Sequence, residues 1–361
     1  MRVGLVGKRA QAFVAGLRSL PGVEVAAFCE ADPAALERVA DRHGIPRRYA
    51  SYEELLGSEV DAVVVGTPMQ LHVPQAVAAL RAGKHVMSEV TAAVSVEECR
   101  QLVATVRASG RTYMMAENYC YSKPAMLVRE LARRGLFGEL YYAEGAYIHD
   151  CRHLHYDARG QPTWRRYLQV GKRGATYPTH SLGPVLEWLD DRVATVVCMG
   201  SGAWVDPKQE SDTTVSMLCR TGRGGLVDVR LDMQSPRPHD MTHYVLQGTK
   251  GAYVSGRRPG ESGLVWIEER SPGREQWQPL EEYEAEFMPE EWRRHGAEAT
   301  TSGHGGGDFF VARAFAGAVL HGAPPPIDVY RALDFTLPGL ISEESIAQGG
   351  APRPVPDPRT W

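Results

Sequence analysis

Short apolar runs alternate with stretches of helical period along the first third of the chain. Residues 2–7 read as a strand, and a helical stretch follows to Leu20. Pro21-Gly22 turns the chain and 23–30 form the second strand. Asp32-Pro33 opens a helix, with Asp32 as cap and Pro33 in the first turn, and Gly44 stops it. The run Ala62-Val63-Val64-Val65 is apolar throughout, the pattern of a parallel strand covered on both faces. A helix over 73–82 ends at Gly83, and 85–88 form another strand. Ser95-Val96-Glu97-Glu98 is a capping box that opens a helix ending at Gly110, and 112–117 close the series as a strand. This βαβαβ rhythm predicts an α/β domain over 1–120 built on a doubly wound parallel sheet.

The rhythm changes after Tyr121. A helix is expected over 124–134, ended by Gly135 and Gly138. Extended patterns then dominate over 139–149, 194–200, 213–220, 226–234, 243–247 and 264–269, with Gly, Pro and Asp in the loops between them. Helical patterns return at 308–320 and 329–341. We read 121–345 as an α+β domain with one large, mostly antiparallel sheet, and 346–361 as an extended, Pro-rich tail.

Composition narrows the function classes. The 361 residues carry 40 Lys+Arg against 44 Asp+Glu, a net charge of −4. That argues against nucleic acid as a partner, which calls for a dense basic face. No apolar run approaches the length of a membrane span, so no membrane partner is expected. Cys29, Cys99, Cys120, Cys151, Cys198 and Cys219 are scattered and form no C-x-x-C pair, so neither a zinc site nor a disulfide framework is expected, and no metal. The chain opens directly on a strand with no leader pattern, and with free thiols this points to a cytoplasmic location.

The candidate chemistry begins at Gly7, between the first strand and a helix, where a dinucleotide fold turns tightly around a pyrophosphate. The usual G-x-G-x-x-G is degraded here to Gly7-Lys8-Arg9-Ala10-Gln11-Ala12. Either Arg9 replaces the second glycine, or the turn is two residues shorter. Glu30 ends the second strand, where a carboxylate holds adenosine ribose hydroxyls and repels a 2′-phosphate, which favours NAD over NADP. Gly303-His304-Gly305-Gly306-Gly307-Asp308 lacks the lysine and preceding strand of a phosphate loop. It reads as backbone passing close to a ligand, with Asp308 capping the following helix. His149-Asp150-x-x-His153-x-His155 could bind metal by composition, but it reads more simply as a cleft lining.

Gly66-Thr67-Pro68, His72, Ala82-Gly83-Lys84-His85-Val86 and Ser88-Glu89 resemble the Gfo/Idh/MocA family of nicotinamide-dependent sugar enzymes over nearly the whole chain. The resemblance implies an N-terminal Rossmann domain and a C-terminal α+β domain whose sheet mediates a homo-oligomer, dimer or tetramer. Typical members continue Glu-Lys-Pro where this chain has Glu89-Val90-Thr91, so the lysine that assists catalysis is absent. Glu89-Val90-Thr91-Ala92-Ala93, Glu117-Asn118-Tyr119-Cys120-Tyr121, Ala143–Asp150 by number 143–150, and Thr176-Tyr177-Pro178-Thr179-His180 followed by Gly183-Pro184 look like glycoside hydrolase family 109, whose characterised members are NAD-dependent α-N-acetylgalactosaminidases.

By that resemblance, cofactor contacts fall on Thr67, Pro68, Met69, Leu71, His72, Glu89, Val90, Asn118 and Tyr177, beside Gly7, Lys8, Arg9 and Glu30 of the nucleotide turn. Sugar contacts fall on Tyr147, Arg165 and Thr179, and we add His304 from the glycine loop. Tyr177 and His180 are the expected catalytic pair. Hydride loss from a carbinol carbon needs a base for the hydroxyl proton, and a Tyr or His supplies one. Three readings follow: a sugar dehydrogenase acting through hydride transfer at a carbinol such as C3, a glycosidase that recycles its NAD, or a non-catalytic nucleotide-binding sensor. Loss of the lysine after Glu89 favours recycling, and retention of Tyr177, His180, Glu89 and Asn118 counts against the sensor.

Overall fold

The computed structural model describes residues 1–258 and 260–361. They form two compact units, each assembled from separated stretches: Met1–Tyr121, His295–Leu333 and Pro358–Trp361 in the first, Ser122–Arg294 and Asp334–Asp357 in the second. The sequence pattern divides the chain linearly at 120 and 345, whereas the contacts interleave it.

The first unit is built on a six-stranded sheet of β1 (Arg2–Val6), β2 (Glu24–Cys29), β3 (Arg47–Tyr49), β4 (Ala62–Val65), β5 (His85–Ser88) and β6 (Tyr113–Met115). Their order is β3-β2-β1-β4-β5-β6, and the recorded pairings are all parallel. This is the doubly wound arrangement, with the order reversing between β1 and β4. Val63, Val64 and Val65 are fully buried, as a centre strand covered on both faces demands.

The caps read from sequence are in place. Asp32 accepts from Ala34 N–H at 3.1 Å, and Gly44 ends the helix Pro33–His43 in the left-handed region. Ser95 accepts from Glu98 N–H, while Glu98 reaches back one residue further than the usual box, to Val94 N–H at 2.9 Å. The helix Gly307–His321 belongs to this unit and packs on the first helix of the chain. β3 escaped the sequence pattern because Arg47-Arg48-Tyr49 is short, polar and at the sheet edge.

The second unit carries a nine-stranded sheet: β7 (Leu140–Ile148), β8 (Val193–Gly200), β9 (Thr214–Thr221), β10 (Leu226–Asp232), β11 (Asp240–Gly248), β12 (Gly251–Val254), β13 (Leu264–Ile267), β14 (Gln278–Pro279) and β15 (Arg353–Pro354). The order is β14-β13-β12-β11-β7-β10-β9-β8-β15. All recorded pairs are antiparallel except β10 with β7. The tail therefore does more than extend: Arg353 and Pro354 add an edge strand to β8.

One face of the sheet is packed by the helix Thr179–Leu189, and Gly145 on β7 explains how closely. A Cβ there would lie 2.2 Å from the carbonyl oxygen of Ser181, so no larger residue fits. On the opposite face Leu218 and Met199 are exposed. All six cysteines are buried thiols.

Candidate functional site

In the first unit β1 runs into Gly7, whose φ of 80° belongs to the left-handed region. A Cβ at Gly7 would also meet the carbonyl oxygen of Gly66 at 2.5 Å, so the turn between β1 and the end of β4 tolerates only glycine. A 3-10 helix (Lys8–Phe13) and a five-residue α-helix (Val14–Arg18) follow, within the helical stretch to Leu20 expected from the pattern. Gly7 offers no side chain to cap the first N–H groups, and the chain tightens into a 3-10 turn in which Ala10 N–H donates to the Gly7 carbonyl at 3.1 Å.

Arg9 does not point out of this turn as a replaced glycine would leave it. Its Nη1 and Nη2 donate to Asp308 Oδ2 and Oδ1 at 3.1 and 2.7 Å, and its Nε lies 2.7 Å from Glu89 Oε1. Asn118 Nδ2 donates to Asp308 Oδ1 at 2.7 Å, and His304 Nδ1 lies 3.0 Å from Asp308 Oδ2. Arg9, Asn118 and His304, singled out separately from sequence, thus meet around Asp308, and Glu89 joins them through Arg9. Asp308 was expected to cap its helix, but Gly306 occupies the cap position and no side-chain cap bond forms. Its carboxylate is turned inward, where donors from three residues converge on it.

Burial works to raise the Asp308 pKa. The hydrogen bonds from His304 and Arg9, and the Arg9 charge, overcome it and hold the carboxyl well below the usual range. His304 has φ 53°, an uncommon conformation for a non-glycine residue, and is followed by two glycines of positive φ.

The remaining nucleotide-side residues have varied surroundings. Glu30 follows β2 and accepts from Asp32 N–H at 3.1 Å. Lys8 lies 3.6 Å from Asp32. Thr67 donates to Gln75 at 2.6 Å, Met69 is buried, and Pro68 and Leu71 are accessible. Val90 is buried and its N–H donates to Glu89 Oε2 at 3.1 Å. His72 is buried with its ring nitrogens 2.8 and 2.9 Å from the carbonyl oxygens of Thr91 and Thr67, so the ring ties two loops together.

These residues fit a dinucleotide on two counts. The Gly7 turn admits a close approach of backbone. Asn118 Oδ1 is buried with no hydrogen-bond partner among the described residues, an acceptor that an amide or hydroxyl of the cofactor would satisfy.

The second unit gathers the sugar-side candidates. The helix Thr179–Leu189 starts directly after Tyr177, with Pro178 at its cap. Alternation along β7 then places Gly145 and Tyr147 on the helix-facing side. Tyr147 lies with its ring centroid 5.0 Å from His180 and 6.0 Å from Tyr177, and Tyr177 is 5.2 Å from His180. The His180 carbonyl accepts from Tyr244 at 2.6 Å, which fixes the start of the helix. Thr179 is fully buried, and its Oγ1 has no hydrogen-bond partner among the described residues. Arg165 stacks over Trp164 at 4.4 Å and donates to Gln169 at 3.0 Å, so it is held rather than loose on the surface.

Two further residues join the group: His149, read from sequence only as part of a cleft-lining cluster, and His239, which sequence did not single out. His149 Nδ1 lies 2.7 Å from Tyr147 Oη, and the His149 ring is 4.3 Å from that of His239. Burial above all, then the fields of His239, His153, Arg165 and His180, pull the His149 pKa down to about 4. The signal for His149 was its spacing of two from Tyr147 on a strand. For His239 it was only strand pairing, which sequence does not reveal. His155 is buried separately, its pKa lowered to about 4 by burial and then by Arg166 and Arg165. Among the described residues no group of three or more His, Cys, Asp or Glu side chains could hold a metal ion.

Known proteins share both units. Residues 1–117 match the oxidoreductase family with an NAD-binding Rossmann fold, and residues 121–204 and 201–360 match the C-terminal domain of glycosyl hydrolase 109. A glycosyl hydrolase family 109 protein of Solibacter usitatus (strain Ellin6076) is 34% identical over 393 residues, covering 99% of this chain and 88% of its own. The chain belongs to glycosyl hydrolase family 109. An α-N-acetylgalactosaminidase of Shewanella oneidensis is 30% identical, covering 96% of this chain and 82% of its own. Among solved structures, an NAD-binding oxidoreductase from Klebsiella pneumoniae has a TM-score of 0.82 at 18% identity, covering 99% of both chains. A levoglucosan dehydrogenase complexed with NADH and levoglucosan has a TM-score of 0.80 at 20% identity, again over 99% of both chains. The family 109 chain is thus an NAD-dependent enzyme of oxidoreductase fold. No helix among its described residues is long and apolar enough to cross a membrane.

Proposed function

We propose that the protein is a redox-recycling glycosidase acting on a sugar glycoside, with Tyr177 and His180 as its acid–base pair. The observation that carries the reading is the mutual ring contact of Tyr147, Tyr177 and His180 at 5.0–6.0 Å, at the start of the helix Thr179–Leu189. NAD, when bound, supplies the two-electron chemistry by taking a hydride from a sugar carbinol, C3 in our reading, and returning it.

The protein's own residues do the rest. The Gly7 turn, Glu30, the 67–72 loop, Glu89, Val90 and Asn118 hold the dinucleotide, with Arg9 and Asp308 fixing the turn. Tyr177 and His180 take the C3 hydroxyl proton as that carbon is oxidised. The ketone acidifies the C2 proton. A base removes it, the C1 substituent leaves, water adds at C1, and reduction at C3 restores the sugar. Tyr147, Arg165 and Thr179 orient the substrate. Val90 in place of a lysine after Glu89 supports recycling over net oxidation. We also assign the enzyme to the reducing cytoplasm, in keeping with its six buried thiols. Its open sheet face with Leu218 and Met199 is assigned to self-association.

The test incubates the protein with NAD⁺ and a panel of aryl glycosides, including the α-N-acetylgalactosaminide, and of free sugars. Aryl release and NADH are followed together. Aryl release without net NADH supports the reading, and NADH accumulating with free sugars replaces it with a dehydrogenase.

A further inference from the structure

We propose that Tyr147, His149 and His239 form a second acid–base unit that carries a substrate proton out to solvent, and this rests on the glycosidase reading above. The need comes from counting protons. Oxidation at C3 releases the hydroxyl proton, and elimination releases the C2 proton before any proton returns. One imidazole holds a single proton, so His180 once protonated cannot take the second.

The geometry supplies an alternative acceptor. Tyr147 is 6% exposed and in ring contact with both Tyr177 and His180. Its Oη lies 2.7 Å from His149 Nδ1. His149 is half-buried, and the pairing of Asp240 with Ile148 brings the next residues, His239 and His149, side by side with rings 4.3 Å apart. His239 is exposed. Exposure therefore rises stepwise from phenol to first imidazole to second.

The groups that face His149 are His153, Arg165, His180 and His239, all cationic or able to become so. They keep the His149 imidazole neutral near pH 7, hence able to accept at Nδ1, and ready to lose any proton it receives. The step balances without a co-reactant. Tyr147 Oη takes the C2 proton as its own proton passes to His149 Nδ1, the C2–H electron pair forms the C1=C2 bond, and the aglycone leaves with the C1–O pair. His149 then releases a proton from Nε2 to water beside His239. The return path on hydration is the reverse. His149 is a positioning and relay residue in this scheme, and Tyr147 is the catalytic one.

The first test needs no turnover. In ¹⁵N-histidine-labelled full-length protein at pH 7, His149 is expected as the neutral tautomer with Nδ1 unprotonated and Nε2–H. A protonated Nδ1 overturns the relay whatever the enzyme's substrate proves to be. The second uses His149→Asn, which keeps an acceptor near Nδ1 but passes no proton on, and His239→Gln. With the aryl glycoside that the wild type cleaves, we expect kcat to fall about tenfold or more with KM little changed. Added imidazole buffer should restore much of that loss. Variants with wild-type kcat, or with a loss that buffer does not restore, overturn the proposal while leaving the glycosidase reading in place.

Discussion

Asp308→Asn is the sharpest probe of the nucleotide side, because the substitution keeps the shape and removes the charge. Each carboxylate oxygen of Asp308 receives two donors: Oδ1 from Arg9 Nη2 and Asn118 Nδ2, Oδ2 from Arg9 Nη1 and His304 Nδ1. An amide NH₂ placed at either oxygen faces two of those donors. At roughly 1.5–3 kcal/mol for a hydrogen bond to a charged group, two lost bonds cost about 3–6 kcal/mol. The Arg9 side chain is 34% exposed, so water recovers part of that, and we expect about 2–4 kcal/mol. For a unit of this size the unfolding midpoint should drop roughly 2–4 °C per kcal/mol, a shift of order 10 °C in thermal unfolding followed by circular dichroism.

The pH dependence sharpens the test. The Asp308 pKa is depressed in the fold, so its contribution is complete above the unfolded-state value of about 3.9 and is lost as pH falls toward the folded one. The gap between wild type and variant should therefore narrow below about pH 4. A midpoint shift under about 2 °C at pH 7, or a gap that does not narrow in acid, would refute the view that Asp308 is a charged hub.

Other consequences can be checked alongside. His180→Ala and Tyr177→Phe should each lower kcat by roughly 10²–10⁴ while leaving the NAD dissociation constant within a few-fold, measured by nicotinamide fluorescence titration. Gly145→Ala should destabilise the second unit by several kcal/mol in urea unfolding, because the 2.2 Å approach to Ser181 leaves no room for a methyl group. Between pH 6.5 and 4 stability should fall as pH drops. His149 and His155 have pKa values lowered to about 4, so the unfolded chain takes up protons that the folded one refuses. Leu218→Arg should shift a self-associated species toward monomer in analytical ultracentrifugation, since the exposed sheet face carries Leu218 and Met199.

Much of the fold was legible because it rests on local signals. The continuous apolar run at 62–65, the Asp32-Pro33 and Ser95 starts and the Gly44 and Gly110 stops are each decided within a few residues. The second sheet announced its long strands through alternation, though β12, four residues between glycine turns, did not stand out. What was hidden depends on distant partners. Nothing near Asp308 in sequence says that Arg9, 299 residues away, will turn inward to meet it. His239 becomes a neighbour of His149 only through strand pairing. Tyr177, His180 and Tyr147 could be chosen singly from sequence, but their contact follows from Gly145 letting the helix down onto β7.

The central claim is redox recycling, and its most direct measurement is the fate of the C2 hydrogen. The protein should cleave an aryl glycoside with NAD⁺ in D₂O, with the released sugar examined by proton NMR. The account predicts deuterium at C2 in the product, with no net NADH. Product sugar that keeps its C2 proton in full while the aglycone is released would contradict it.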